Sequence, residues 1–143
     1  WNHIYKKVPE WELILVGDGP EKEKLEKLAL SLGAQRIKFM GHSAYPAAYY
    51  QQAAVLCLTS TTEGWPLCLT EAQANGVIPI AYACSAGVKE ILSPSGTNGF
   101  LIPPFHKRTY AKTLCQLLLN PHLQKQMQQH VIQKAKDYSI EQV

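Results

Sequence analysis

Short apolar segments of strand length alternate with helix-type segments along nearly the whole chain of 143 residues. Most of the apolar segments end at glycine or at small polar residues, which are typical of turns and loops. Strands that alternate with helices favour a parallel sheet, because parallel strands need a crossover connection that is usually a helix. The pattern therefore predicts an α/β fold, a parallel sheet with helices on both faces. The predicted strands cover residues 11–16, 37–40, 55–58, 77–81 and 100–102.

The helix-type segments fill the intervals between these strands. Gly33 and Gly76 follow two of them and are natural helix stops. Asn120 and Pro121 are a helix start, since asparagine caps well and proline is favoured in the first turn. We predict that the chain begins inside a helix at residues 1–7. Further helices are predicted over residues 21–32, 46–53, 66–75, 107–119 and 120–137, together with a short helix that ends at residue 92.

Composition limits the function before any motif is considered. The hydrophobic fraction of 46% is that of an ordinary globular protein, and 143 residues are enough for one domain with a core. A net charge of +3 without a Lys/Arg cluster does not favour nucleic acid. No apolar segment is long enough to span a membrane. The four cysteines and five histidines lack ligand spacing, so no metal site is predicted.

The stretch from Glu63 to Glu71 carries the strongest functional signal. Pro66 is read as the first residue of a helix. The amides of Leu67 and Cys68 then have no partner inside that helix. Free amides and the positive end of the helix dipole together favour an anion, typically a phosphate.

The two carboxylates suit the rest of such a ligand. Glu71 follows Leu67 by one helical turn on the same face. It would repel a phosphate, but it can accept hydrogen bonds from the two hydroxyls of a ribose. Glu63 stays on the preceding loop and can reach another part of the ligand. The stretch therefore predicts a site for a nucleotide sugar.

Four loops follow the first four predicted strands. In an open parallel sheet all of them lie at the carboxyl edge of the strands, where such folds bind ligands. We therefore expect them to converge on one place. They contain Gly17 with Gly19, residues 41–43, residues 63–67 and residues 85–87.

With these features in place, the sequence resembles the C-terminal half of a group 1 retaining glycosyltransferase of the GT-B architecture. The resemblance covers nearly the whole chain and implies a Rossmann-like fold. Its specificity comes from the order and spacing of its parts, since each part alone is weak. These parts are residues 15–20, 39–41, 59–63, the Glu-x7-Glu stretch with Ala72, and residues 76–80, 90–91 and 98–104.

The resemblance implies a role for each matching position. Glu71 on the motif helix would bind the ribose, and the amides of Leu67 and Cys68 would face the diphosphate. The preceding loop, with Glu63, Gly64 and Trp65, would contact the donor sugar, and Glu63 would be the catalytic carboxylate. His42 and Ser43 would lie against the base, and Gly17 and Gly19 would let the nucleotide approach.

The resemblance also implies the reaction. Such enzymes transfer a sugar from a nucleotide-diphosphate donor, here a UDP-sugar rather than a GDP-sugar, with retention of the anomeric configuration and without an essential metal or cofactor. The acceptor would be a glycan or a lipid-linked molecule, bound by an N-terminal domain. The implied location is the cytoplasm, where the full-length enzyme could associate peripherally with the inner face of the membrane.

The match to the family has departures. An Arg and a Lys that neutralise the diphosphate belong on a segment that would precede Trp1, so residues 1–143 are expected to be a donor-binding domain truncated at its N-terminal edge. The isolated fragment is then expected to be inactive. Ala86-Gly87 stands where Gly-Gly is usual.

Several residues keep a second interpretation. Glu63 could cap the motif helix. Gly17 and Gly19 could form only a tight turn, because the Rossmann glycine fingerprint is incomplete. Trp65 could be a packing anchor rather than a sugar platform, and His42 could be an exposed loop residue. Two other functions also stay open: a sugar-nucleotide epimerase of the same architecture and a non-catalytic nucleotide-binding or regulatory module.

Overall fold

The computed structural model describes residues 1–138 as an α/β chain of parallel sheets and helices. It divides into two compact units, the first spanning Trp1–Ala48 and the second beginning at Tyr49. The strands are β1 (Leu13–Val16), β2 (Ile37–Gly41), β3 (Val55–Leu58), β4 (Ile78–Tyr82) and β5 (Phe100–Ile102). The helices are α1 (Lys22–Leu32), α2 (Ala47–Tyr50), α3 (Leu67–Ala74), α4 (Ala86–Leu92), α5 (Lys107–Leu118) and α6 (Pro121–Ala135), with 3-10 turns at Tyr5–Lys7 and Lys136–Tyr138.

The first unit contains a two-stranded parallel sheet, β1 beside β2, and helix α1. Gly33 ends α1 as predicted: its φ is +65°, and its amide donates to carbonyls of the last turn. The helix predicted over residues 1–7 is wrong, since only the 3-10 turn Tyr5–Lys7 forms there. Arg36 ties this segment down by donating hydrogen bonds to the carbonyls of Tyr5 and Val8.

The second unit contains a three-stranded parallel sheet in the order β3-β4-β5. Because alternate residues of a strand point to opposite faces, its apolar residues divide into two clusters. Helices α3 and α4 cover one face and helices α5 and α6 cover the other, so the prediction of helices on both faces is confirmed for this sheet. The first cluster includes Leu69, Ala81, Val88 and Ile91, and the second includes Ile78, Leu117 and Met127.

The predicted and observed elements agree most closely in the second unit. The bounds predicted for β3 and β5 are those observed, and α6 begins at Pro121 with Asn120 as its cap. The strands of residues 1–138 form two parallel sheets rather than the one parallel sheet that the sequence predicts. Between Trp1 and Tyr138, no helix has the length and apolar character needed to cross a membrane.

Candidate functional site

Helix α3 begins one residue later than the sequence predicts. Pro66 is the residue before the first helical turn, with extended backbone angles (φ −76°, ψ 107°), rather than the first helical residue. Its carbonyl accepts the amide of Leu69 at 3.1 Å, which closes the first turn. The amides of Leu67 and Cys68 therefore precede the first bond of the helix, as the anion-site hypothesis requires.

Glu71 lies on the exposed side of α3. Its partner is Tyr50 of α2, whose hydroxyl lies 3.3 Å from Glu71 Oε2. The same hydroxyl lies 3.5 Å from the carbonyl oxygen of Cys68. One proton thus faces two acceptors on α3, one of which carries a charge.

The charges of Glu63 and Glu71 both act on the Cys68 thiol. Burial raises the pKa of this thiol, and the negative charges of Glu63 and Glu71 raise it further. Burial likewise raises the pKa of Tyr50 to about 12, with Glu71 as the next cause. Both groups therefore stay neutral at neutral pH, and both carboxylates of the Glu-x7-Glu stretch act on the same thiol.

The loop that carries Glu63 is held by the loop after β4. Ser85 Oγ donates to the carbonyl oxygen of Gly64 at 3.2 Å and accepts the amide of Val88, so it caps α4 as well. A Cβ added to Gly87 would lie 2.3 Å from that same carbonyl oxygen. Residue 87 must therefore be glycine for the two loops to approach this closely.

Glu63 itself is half-buried, and its carboxylate makes no hydrogen bond to any residue of the described range 1–138. This observation disfavours the interpretation of Glu63 as a cap of α3, since a capping carboxylate would accept an amide of the first turn. Its catalytic role stays a prediction.

Trp65 contacts a residue far along the chain. Its ring packs edge-to-face on Tyr138, with ring centroids 5.3 Å apart. The side chain still exposes 42% of its surface. The contact supports a packing role, and the exposed part leaves a sugar platform open, so both interpretations remain.

The glycine loops of the first unit meet each other. The amide of Gly17 donates to the carbonyl oxygen of Gly41 at 2.7 Å, and both residues have positive φ, +136° and +72°. Gly17 thus has a structural reason to be glycine, while contact with a nucleotide stays a prediction for Gly17 and Gly19. His42 is exposed, and Ser43 Oγ accepts the amide of Tyr45 at 3.1 Å.

Contact between two of the predicted loops is observed in the second unit, where the loops after β3 and β4 touch at Gly64 and Ser85. In the first unit, the loop after β1 touches Gly41, the last residue of β2. The convergence of all four loops stays a prediction.

Gln73 fixes the middle of α3. The side chain is fully buried, and its Nε2 donates to the carbonyl oxygens of Ile91 and Asn98, each at 2.9 Å. The end of α4 and the turn before β5 are thereby joined to the helix that carries Glu71. A buried amide N–H group is costly unless bonded, so the two bonds that Nε2 makes favour one position of α3.

Sequence reasoning missed three supporting residues of this region, namely Tyr50, Gln73 and Ser85. Ser85 had a local signal, because serine is a preferred helix cap. Tyr50 had none, since its contact lies 21 residues away along the chain. Gln73 offered one clue, a polar residue on the apolar side of the predicted helix.

Comparison with known proteins places this geometry in a class. The chain is 28% identical, with a TM-score of 0.85, to the pneumococcal O-GlcNAc transferase GtfA, solved in complex with UDP and GlcNAc, over 96% of this chain and 28% of that one. It is 25% identical, also with a TM-score of 0.85, to the C-terminal domain of a group 1 glycosyl transferase, LpcC, from Francisella tularensis, over 97% of this chain and 75% of that one. The fold is thus the Rossmann-like C-terminal domain of GT-B glycosyltransferases.

The sequence itself matches the family described as glycosyl transferases group 1 over residues 1–137, and the chain belongs to that family. It is 36% identical to an uncharacterized glycosyltransferase of Haemophilus influenzae, over 100% of this chain. The chain spans 40% of the length of that curated relative.

Proposed function

We propose that this chain is the donor-binding domain of a retaining glycosyltransferase, which transfers a hexosyl group from a nucleotide-diphosphate sugar to a glycan or lipid-linked acceptor. The observation that carries the proposal is the start of α3: the amides of Leu67 and Cys68 precede the first bond of the helix, with Glu63 before them and Glu71 one turn beyond. Family membership supports the reaction class. The acceptor and its N-terminal binding domain follow from the family resemblance alone.

Each part of the donor has a proposed partner in the chain. The amides of Leu67 and Cys68 face the diphosphate, where the helix dipole favours negative charge. Glu71 binds the ribose hydroxyls, and Glu63 with the backbone at Gly64 and Trp65 contacts the sugar. The loop with His42 and Ser43 lies against the base, and Gly17 and Gly19 leave room for the nucleotide.

The proposed nucleotide is UDP rather than GDP, and no cofactor is involved. Support comes from the pneumococcal relative, which was solved with UDP. Among the described residues, no three His, Cys, Asp or Glu side chains are grouped so that they could hold a metal ion. A cytoplasmic location, with peripheral contact of the full-length enzyme with the inner face of the membrane, is part of the same proposal.

Replacement of Glu71 tests the nucleotide assignment. Glu71→Ala in the full-length protein is expected to weaken UDP binding by about 10- to 100-fold, because a hydrogen bond to a charged group contributes roughly 1.5–3 kcal/mol. Isothermal titration calorimetry with UDP and GDP measures the change. Glu23→Ala is the matched control, since Glu23 is an exposed helical carboxylate paired with Lys27 in the first unit. Equal UDP affinity in wild type and a folded Glu71→Ala protein would exclude the ribose role.

Replacement of Glu63 tests the catalytic assignment. Glu63→Gln keeps the size of the side chain and removes its charge. We expect kcat to fall while the UDP affinity changes little, because an interaction made mainly in the transition state appears in kcat. Donor turnover with a verified nucleotide sugar, measured beside UDP titrations, separates the two quantities. Unchanged kcat would remove Glu63 from catalysis.

A further inference from the structure

The contact between Tyr50 and Glu71 has no counterpart in the family motifs described above. Tyr50 ends α2, which is only four residues long, and reaches across to α3. Its hydroxyl is within hydrogen-bond distance of Glu71 Oε2. The ring of Tyr50 is half-buried and Glu71 is exposed, so part of the carboxylate stays accessible to solvent beside the tyrosine hydroxyl.

A carboxylate on an exposed helical face is free to change rotamer, and binding of a ligand must then freeze that motion at an entropic cost. A fixed donor on one oxygen reduces this cost in advance. Each carboxylate oxygen has two lone pairs, so Oε2 can accept from Tyr50 and still accept from a ligand hydroxyl. The tyrosine remains a proton donor across the neutral range, because burial and the nearby Glu71 raise its pKa to about 12.

We propose that Tyr50 is a positioning residue for Glu71: its hydroxyl orients the carboxylate toward the two ribose hydroxyls, so that Tyr50 contributes to the preference for a ribose over a deoxyribose nucleotide. The inference rests on the proposed function, in which Glu71 binds the ribose. Tyr50 itself does not touch the nucleotide in this arrangement. Its effect therefore depends on the ligand hydroxyl that Glu71 binds.

The experiment removes one hydroxyl from the protein and one from the ligand. Isothermal titration of the full-length protein with UDP and with 2′-deoxy-UDP, and with the same pair of guanine nucleotides, gives the ribose preference of each variant. Tyr50→Phe keeps the ring and the fold while it deletes the hydroxyl. We expect it to reduce the ribose preference about 3- to 10-fold, through weaker binding of the ribose nucleotide with little change for the deoxy form.

Tyr49→Phe is the matched control. It deletes the same group from the neighbouring residue of the same short helix, and the Tyr49 hydroxyl makes no hydrogen bond to another residue in the range 1–138. The ribose preference of this variant should equal that of the wild type. A thermal melt of each variant shows that folding is retained.

Glu71→Gln separates a failure of the inference from a failure of the proposed function. If Glu71→Gln lowers the ribose preference and Tyr50→Phe does not, Tyr50 has no positioning role and the ribose site stands. If Tyr50→Phe weakens both nucleotides equally, its role is only structural and the inference is overturned. If Glu71→Gln leaves the preference unchanged, or no nucleotide binds the wild type, the proposed function fails with it.

Discussion

The two compact units of the chain differ in how their residues are buried. In the first unit, helix α1 has no buried residue, and its leucines stay largely exposed, Leu30 most of all at 83%. In the second unit, all five residues of β4 are buried, and every helix of eight or more residues contributes buried side chains. The same α/β pattern therefore buries few side chains in the first unit and forms a packed core in the second.

The difference shows which site residues are held by packing and which by backbone conformation. In the first unit, Gly17 and Gly41 have positive φ angles, and a Cβ at either position would meet no atom closer than 3.6 Å. In the second unit, Gly87 is needed because a neighbouring backbone leaves no room for a Cβ. The residues proposed for the phosphate, ribose and sugar lie in the second unit, and those proposed for the base lie in the first.

The largest expected effect comes from equal truncations of helical leucines in the two units. Leu117→Ala in α5 should lower the free energy of unfolding by about 2–5 kcal/mol, because the side chain is fully buried and leaves a cavity. Leu30→Ala in α1 should change it by less than about 0.5 kcal/mol, since that side chain is exposed. Urea denaturation followed by circular dichroism measures both. Equal losses would mean that the two units do not differ in packing as described.

Alanine should have different effects at Gly87, in the first turn of α4, and at Gly19, in the loop after β1. Gly87→Ala is expected to destabilise by about 1–3 kcal/mol, because its Cβ would force the carbonyl of Gly64 to move. Gly19→Ala meets no atom within 4 Å and has no positive φ. It should be neutral or stabilise by about 0.4–1 kcal/mol through the unfolded chain. Thermal melts compare them, and a harmless Gly87→Ala would contradict the close approach of the two loops.

The smallest expected effect concerns the non-glycine residues with positive φ. Arg36 (φ +56°) offsets the strain with hydrogen bonds from its guanidinium, including one of 2.8 Å to the carbonyl oxygen of Trp11. Phe105 (φ +66°) has a side chain that is 73% exposed. Relief of left-handed strain, worth about 1–2 kcal/mol per residue, exceeds the entropic cost of glycine.

Phe105→Gly should therefore stabilise the protein by up to about 1 kcal/mol. Arg36→Gly should destabilise it by about 1–2 kcal/mol, because it loses charged hydrogen bonds. Differential scanning calorimetry of the two variants gives the signs. A stabilising Arg36→Gly would show that its hydrogen bonds do not compensate for its backbone.

Local patterns predicted much of the second unit. The bounds of β3 and β5 follow from short apolar runs between polar residues, and the start of α6 follows from Asn120 and Pro121. Pro66 marked the start of α3 to within one residue. In each case the signal and the structure it specifies lie within a few residues of each other.

The failures share a physical cause, since they depend on contacts between distant segments. The 3-10 turn Tyr5–Lys7 replaces a helix where Arg36 binds the carbonyls of that segment. The exposure of Glu71 depends on which side of α3 meets the sheet. Periodicity in a helix as mixed as α3 does not determine that side.

Gln73 has a consequence for how this region can change in evolution. Its side chain joins α3 to the end of α4 and to the turn at Asn98 by hydrogen bonds, although these segments are separate in sequence. Their positions therefore depend on one another. An insertion in that turn would move a carbonyl that Gln73 needs, and with it the helix that carries Glu71. The position of the carboxylate that we propose for the ribose therefore depends partly on Gln73 and on the turn at Asn98, and selection for ligand binding would extend to these residues.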